Sequence, residues 1–204
     1  MKKRIFFSLT SLIGGILSYS AQMPSMGFAV QAGGQDRDQG YAIAVDQNND
    51  YFVTGYIRNS AEFNTSSGTI NLTAVGDYDI FVAKYNSNGH AIWAWNIGNT
   101  GGAELGQDIV CAQNGDFYLV GQFEGTIDFN PASGVANRTS NGGEDFYIAK
   151  YNGSGQFLWC TTYGGGSDDE VQKVSVDSNG DIYLAGLYRS TIDFNPQGTS
   201  QSRT

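Results

Sequence analysis

One histidine, two cysteines and three prolines are all that this 204-residue chain has of those types. A hydrolytic triad needs a base, usually His, beside its nucleophile, and a zinc site needs clustered Cys or His. Neither can be assembled from His90 alone. Positive charge is also scarce, with 11 Lys and Arg against 20 Asp and Glu. Three of the basic residues (Lys2, Lys3, Arg4) open the chain, and the 8 that remain beside 20 acids leave a net charge of −12. Nucleic acid and anionic membrane both need a basic patch, so neither is a partner. No segment carries a helical period, and no phosphate-cradling glycine loop precedes a helix. What is abundant is glycine (28 residues), with 12 Tyr and 12 Phe among frequent Val and Ile. That composition is neither disordered nor collagenous, and the length suffices for one sizeable core.

Residues 1–21 have the three parts of an export signal. Lys2-Lys3-Arg4 is the positive start, Ile5 to Leu17 the apolar stretch, and Ser18-Tyr19-Ser20-Ala21 the small-residue cleavage site. The apolar run is shorter than the ~20 residues of a membrane anchor, and no Cys follows the cleavage site to take a lipid. The expected mature chain, residues 22–204, is exported to the cell surface or beyond, with the periplasm as an alternative, and has no membrane span.

A repeat organises the rest. DYFVTGY at 50–56 recurs as DFYLVGQ at 116–122 and DIYLAGL at 181–187. Phe63-Asn64 recurs at 129–130 and 194–195, and DIFVAKYN at 79–86 recurs as DFYIAKYN at 145–152. Gly89, Trp93 and Gly98 map to Gly155, Trp159 and Gly164. The offset is 66 residues, then 65. The units so defined are a lone fourth strand at 26–35, repeats at 36–103 and 104–169, and a half repeat at 170–204.

Each full unit reads as four strands, at 41–46, 51–57, 79–86 and 91–97 in the first. Asn-Gly joints at 114–115 and 179–180 predict two-residue type I′ turns with both central residues at positive φ. A longer loop carrying Phe63-Asn64 separates the second strand from the third. Strands 51–56 and 80–85 are nearly continuous apolar runs, which signals burial on both faces. A two-sheet sandwich would alternate apolar and polar residues, and a β-helix would have a far shorter period. Four-stranded antiparallel sheets buried on both faces stack radially, as β-propeller blades. Linkers 98–104 and 164–170 are long enough to cross a blade, ~14 Å at ~4.8 Å per strand. Eleven strands make under three blades, so the ring is incomplete. An end blade and the edge at 182–187 are then exposed, and further blades from a longer chain or from other copies would be needed to close it.

These motifs, VDxxGDxYxxG, then F-N, then FxxAKYNxxGxxxW and G-G-x-x-D-E, resemble the bacterial beta-propeller repeat called SBBP across residues 26–204. The resemblance implies bacterial secreted or cell-surface repeat proteins, often carrying a C-terminal sorting module for type IX secretion. It brings no catalytic residues. This chain departs from the pattern in having under three repeats and no sorting module before Thr204.

Acidic residues are the remaining candidates. Asp46-x-Asn48-x-Asp50 and Asp177-x-Asn179-x-Asp181 match the first half of a calcium loop but lack its Glu at position 12, where Ile57 and Tyr188 stand. Hairpin turns are the preferred reading of both. Asp168, Asp169 and Glu170 in the second linker could gather a cation or be a solvated loop. Calcium is thus the one cofactor in question. Lys84 and Lys150 are expected to lay their stems over a blade and send their charge to the rim, and Trp93 and Trp159 to pack between blades. Cys111 and Cys160, on the first and fourth strands of one sheet, are too far apart to bridge. The expected function is non-enzymatic binding of a protein or glycan, or scaffolding. The alternatives are a carbohydrate-active enzyme with a carboxylate pair on the ring face and a purely structural spacer.

Overall fold

The computed structural model describes residues 6–10, 25–195 and 201–203. The rest of the expected leader, its cleavage point and residues 196–200 lie outside the described residues. No helix occurs among the described residues, so none could cross a membrane.

Strands β1 (Phe6–Thr10) and β2 (Ser25–Val30) pair antiparallel, and β3 (Ala32–Gly33) follows. The first unit holds β4 (Gln39–Val45), β5 (Tyr51–Ile57), β6 (Ser60–Asn64), β7 (Thr69–Thr73), β8 (Asp79–Tyr85) and β9 (Ala91–Ile97). The second holds β10 (Leu105–Cys111), β11 (Phe117–Phe123), β12 (Thr126–Asp128), β13 (Asn137–Thr139), β14 (Asp145–Tyr151) and β15 (Phe157–Tyr163). The third holds β16 (Glu170–Val176), β17 (Ile182–Leu187), β18 (Ile192–Asp193) and β19 (Ser202–Arg203). Two four-stranded antiparallel sheets result, in the orders β4-β5-β8-β9 and β10-β11-β14-β15, followed by the pair β16-β17. There is no closed barrel among the described residues, and the stack is that of an incomplete propeller.

Why the sheets stack follows from their side chains. Every residue of β5, β8 and β11 is buried, although only alternate residues of a strand face one side. Phe52, Ile80 and Val82 of the first sheet meet Ile109, Phe117 and Leu119 of the second in one core. Tyr118, Val120, Phe146 and Ile148, on the second sheet's other face, meet Val171 and Val174 of β16. Position along the stack decides exposure. Ile109 and Val174 are 4% and 8% exposed, whereas their equivalent Ile43, which no four-stranded sheet covers among the described residues, is 50% exposed.

The long loops differ from expectation. Each is a β-hairpin: β6 pairs β7, β12 pairs β13, and β18 pairs β19. Alternation in Ala61, Phe63, Ile70 and Leu72 presses the first hairpin's apolar face onto Phe81 and Ala83, and Phe129 does the same above Tyr147. The segment read as a lone fourth strand has partners, since Ala32 and Gly33 pair with Phe63 and Glu62 of β6.

The short turns are a second correction. They contain one residue of positive φ, not two: Asn49 (61°), Gly115 (85°) and Gly180 (86°). Asn49 N donates to Asp46 O, and Asp46 N to Asp50 O, so the turn is one residue longer than a type I′ turn. Where an acid precedes it, as at Asp46 and Asp177, the carboxylate accepts the N–H groups two and four residues on. The Ala112 turn has no such acid and keeps the same backbone bonds, Ala112 N to Asp116 O and Gly115 N to Ala112 O.

A bulge recurs in each first strand, between Gly40 and Ala42, Gly106 and Asp108, and Val171 and Lys173. Opposite it stands a glycine, Gly55, Gly121 or Gly186, where a Cβ would strike the carbonyl of Gln39, Leu105 or Glu170. Over-packing of this kind costs about 1–3 kcal/mol. Gly121→Ala should therefore lower the unfolding free energy by about that amount, as read from denaturant midpoints. Gly68→Ala, with nothing within 4 Å of the added methyl, should leave it within about 0.5 kcal/mol.

Candidate functional site

The acids singled out for calcium are engaged by the protein's own donors. In the first unit Lys84, late in β8, reaches across β5 to the turn after β4. Its Nζ lies 3.2 Å from both Asp46 Oδ2 and Asp50 Oδ2. Asp46 Oδ1 meanwhile accepts Asn48 N and Asp50 N at 2.8 and 3.0 Å. The ammonium also stands 4.9 Å from the centre of the Phe52 ring. Lys84 therefore does not send its charge to the rim, as its long stem had suggested. It is buried and paired with both acids.

The second unit repeats the arrangement with one ligand fewer. Lys150 Nζ is 2.9 Å from Asp116 Oδ2 and 5.2 Å from the Tyr118 ring, while Ala112 replaces the first acid. The hydrogen bond to Asp116 raises the Lys150 pKa. In the third unit Asp177 Oδ1 accepts Asn179 N and Asp181 N, both at 2.9 Å. No lysine is paired with Asp177 or Asp181 among the described residues. The Asn48 and Asn179 side chains are exposed.

The linker acids are distributed in the same way. Asp169 is fully buried and accepts Gly165 N and Arg189 N, each at 2.7 Å. Asp168 accepts Glu144 N, and the Arg189 guanidinium lies 3.8 Å from Asp168 and 3.3 Å from Glu170. Asp38 closes the segment that leads into β4 likewise, on Gly34 N and Arg58 N at 2.6 and 2.9 Å. Glu104 is the middle member of this series. It accepts Asn99 N and Asn99 Nδ2, and that same amide bridges onward to the Glu124 carbonyl. Each linker is thus clasped to the blade it enters. The signal was present in the sequence, because Asp38, Glu104 and Asp169 recur at the repeat offsets.

Two further carboxylates, Asp79 and Asp145, begin the third strands and are buried. Asp79 caps Val75 N and Gly76 N and accepts Asn96 Nδ2 at 2.7 Å. Gly98 and Gly164 leave room for these carboxylates, which a Cβ would displace. Burial pushes Glu104 up from 4.5 to about 8, and the neighbouring Asp79 and Glu124 add to the rise. Burial also pushes both thiols up to about 12, and Cys111 and Cys160 are free. Among the described residues no group of three or more His, Cys, Asp or Glu is placed to hold a metal ion. His90 is an exposed turn residue whose N–H donates to Asn86 Oδ1. Trp93 lies between sheets, 5.8 Å from Phe52 and 6.1 Å from Phe117, ring to ring. Trp159 is more exposed and meets Tyr118 edge-on. What this arrangement does chemically is pair charge and cap backbone.

No family model matches the chain. It is similar to the "Regulatory protein FlaEY" of Caulobacter vibrioides, 27% identical over 117 residues that cover 57% of this chain and 12% of that protein. It is also similar to the "Uncharacterized WD repeat-containing protein L264" of Acanthamoeba polyphaga mimivirus. That match is 23% identical over 202 residues and covers 84% of this chain and 14% of the relative. The chain therefore spans about a seventh or less of the length of these curated relatives.

Two outcomes follow from the charge pairs. Lys84→Ala strands two acids, one of them nearly sealed from water, and should cost about 3 kcal/mol of unfolding free energy. Lys150→Ala strands one and should cost roughly half as much, both read from denaturant titrations. For Glu104 the folded chain holds a proton up to pH about 8 that the unfolded chain releases near 4.5. Stability therefore falls as pH rises through that window. Glu104→Gln should flatten the fall in Tm between pH 5 and pH 9, with the larger gain over wild type at the alkaline end.

Proposed function

We propose that the chain is an exported, propeller-type repeat scaffold of the SBBP kind that acts by binding a protein or a glycan outside the cell. The observation that carries this reading is where the chemistry-bearing residues are spent. Lys84, Lys150, Arg189 and the acids beside them clasp turns and linkers, and the only histidine lies exposed on a turn. A frame whose ionic groups are committed to its own rigidity suits presentation of loops better than turnover. The motifs DIFVAKYN and DFYIAKYN support the repeat type, and the WD repeat in one relative's name is in keeping with blade architecture. The positive start, apolar stretch and small residues of 1–21 support export. Binding through loops at one face is a fold-level analogy.

The test expresses the full chain with its leader and assays the exported fraction. N-terminal sequencing should begin near Gln22, and glycan and peptide arrays should give saturable binding without turnover. An intact Met1 in that fraction overturns export. Hydrolysis of an array ligand that is abolished by changing one loop carboxylate overturns the binding role in favour of a carbohydrate-active enzyme.

A further inference from the structure

We propose that the first unit binds one buried water molecule against the Gln39 carbonyl, at the position that the Tyr147 hydroxyl takes in the second unit. The inference is independent of the binding role proposed above, and the second unit serves as its template. At the repeat offset Phe81 matches Tyr147, Gln39 matches Leu105 and Ile57 matches Phe123. Their registers agree, since Phe81 stands opposite Gly55 and Tyr147 opposite Gly121. The two carbonyls are also placed alike: a Cβ on Gly55 would strike that of Gln39, as one on Gly121 would strike that of Leu105. Tyr147 is fully buried, and its hydroxyl donates to the Leu105 carbonyl at 3.1 Å. Phe81 is buried as well and has no hydroxyl to give.

Two observations of the first unit point to what takes the hydroxyl's part. The first is a pocket of about 20 Å³ beside Phe81, bounded by Asp38, Gln39, Gly40, Ile57 and Phe63 among others. One water needs about 10–15 Å³ of such space, so the pocket suits a single molecule and nothing larger. Its origin lies in the side chains. Phe81 is smaller than Tyr147 and Ile57 smaller than Phe123, so the first unit has less to fill the same space. The second observation is Gln39 Oε1, which is sealed from solvent without a hydrogen-bond partner. A buried acceptor in that condition is destabilising and calls for a donor.

Water meets both demands, where a tyrosine hydroxyl would meet one. It carries two donors, one for the Gln39 carbonyl and one for Gln39 Oε1. The pocket is polar on the side of Asp38 and Gln39 and apolar on the side of Ile57, Phe63 and Phe81. Asp38 is itself held there, accepting Gly34 N and Arg58 N at 2.6 and 2.9 Å. A wholly apolar pocket of this size would stay dry, whereas two acceptors on one residue supply the partners that an ordered water requires.

A crystal structure of the full chain, at a resolution that shows ordered water, tests this. One density peak is expected in the pocket, within hydrogen-bond distance of both the Gln39 carbonyl and Gln39 Oε1. Phe81→Tyr should expel it and set the new hydroxyl on the Gln39 carbonyl, as Tyr147 is set on that of Leu105. The same variant should raise Tm by roughly 2–4 °C as the water returns to solvent. Gln39→Met keeps the stem and removes Oε1, so the peak should weaken or vanish while Phe81 is retained. A dry pocket in the parent chain overturns the proposal, as does a water that persists in the Phe81→Tyr variant or a peak that Gln39→Met leaves unchanged. A fall in Tm for Phe81→Tyr, with its hydroxyl turned away from Gln39, overturns the equivalence with Tyr147 on which the proposal stands.

Discussion

Burial on both faces of the central strands β5, β8 and β11 is the constraint from which the rest of this structure follows. A strand such as β5, with seven buried residues in succession, cannot be stable in a sheet that shows one face to water. Covering Phe52 and Val53 needs apolar surface on opposite sides. The neighbouring sheet supplies it for Phe52, through Phe117 at 4.9 Å ring to ring, and the β6–β7 hairpin supplies it for Val53. Burying an aromatic or branched side chain contributes about 1.5–3 kcal/mol. The stack therefore gains stability at each interface and loses it at each end. Tyr41, Ile43 and Val45 at one end and Tyr183, Leu184 and Leu187 at the other are exposed for that one reason.

Polar groups have to be accommodated within the same constraint. Linkers must turn sharply between sheets that leave little room for water, so their N–H groups need partners supplied by the chain. Asp38, Glu104 and Asp169 provide them, each clasping the linker it ends. Lengthening the acid by one methylene at Glu104 changes the solution. The carboxylate stops at Asn99, and the Asn99 amide completes the bridge to Glu124. Burial is the main reason that acid holds its proton to about pH 8, and the neighbouring Asp79 and Glu124 add to it. These charges follow from architecture, which explains how a chain so acidic can bury carboxylates without gathering a metal among the described residues.

Much of this was legible in the residues themselves. The offset between DIFVAKYN and DFYIAKYN gave the unit, and unbroken apolar runs gave two-sided burial, because both signals repeat and neither depends on distant partners. The hairpins were not read, although Ala61, Phe63, Ile70 and Leu72 alternate as strands do. Phe63-Asn64 and Gly68 drew attention as loop residues, and a run of five residues with a polar face is a weak signal beside β5. The turn type was missed for a different reason. Asn-Gly favours a two-residue turn locally, but all three joints close one residue wider, including that of Ala112, where no acid caps the turn. Lys84 was misplaced because a long cationic side chain usually reaches water. Only the register of β8 on β5 reveals that two acids wait for it.

The three versions of this lysine site show how a repeat tolerates change. Asp46 and Asp50 share one ammonium; Asp116 holds one alone because Ala112 offers nothing; among the described residues Asp177 and Asp181 are paired with no lysine. Losing the first acid removes a charge and a turn cap together, yet the Ala112 turn keeps its backbone bonds, with Ala112 N donating to Asp116 O at 2.8 Å. The capping is therefore dispensable, whereas the acid facing the lysine is present in all three units. That asymmetry follows from burial. A turn N–H at the rim can turn to water, but an ammonium held over an aromatic ring between two sheets cannot, and it requires a carboxylate. The acid of the turn and the lysine two strands away thus form one unit of specification, and it fixes which strand lies beside β5 and in what register.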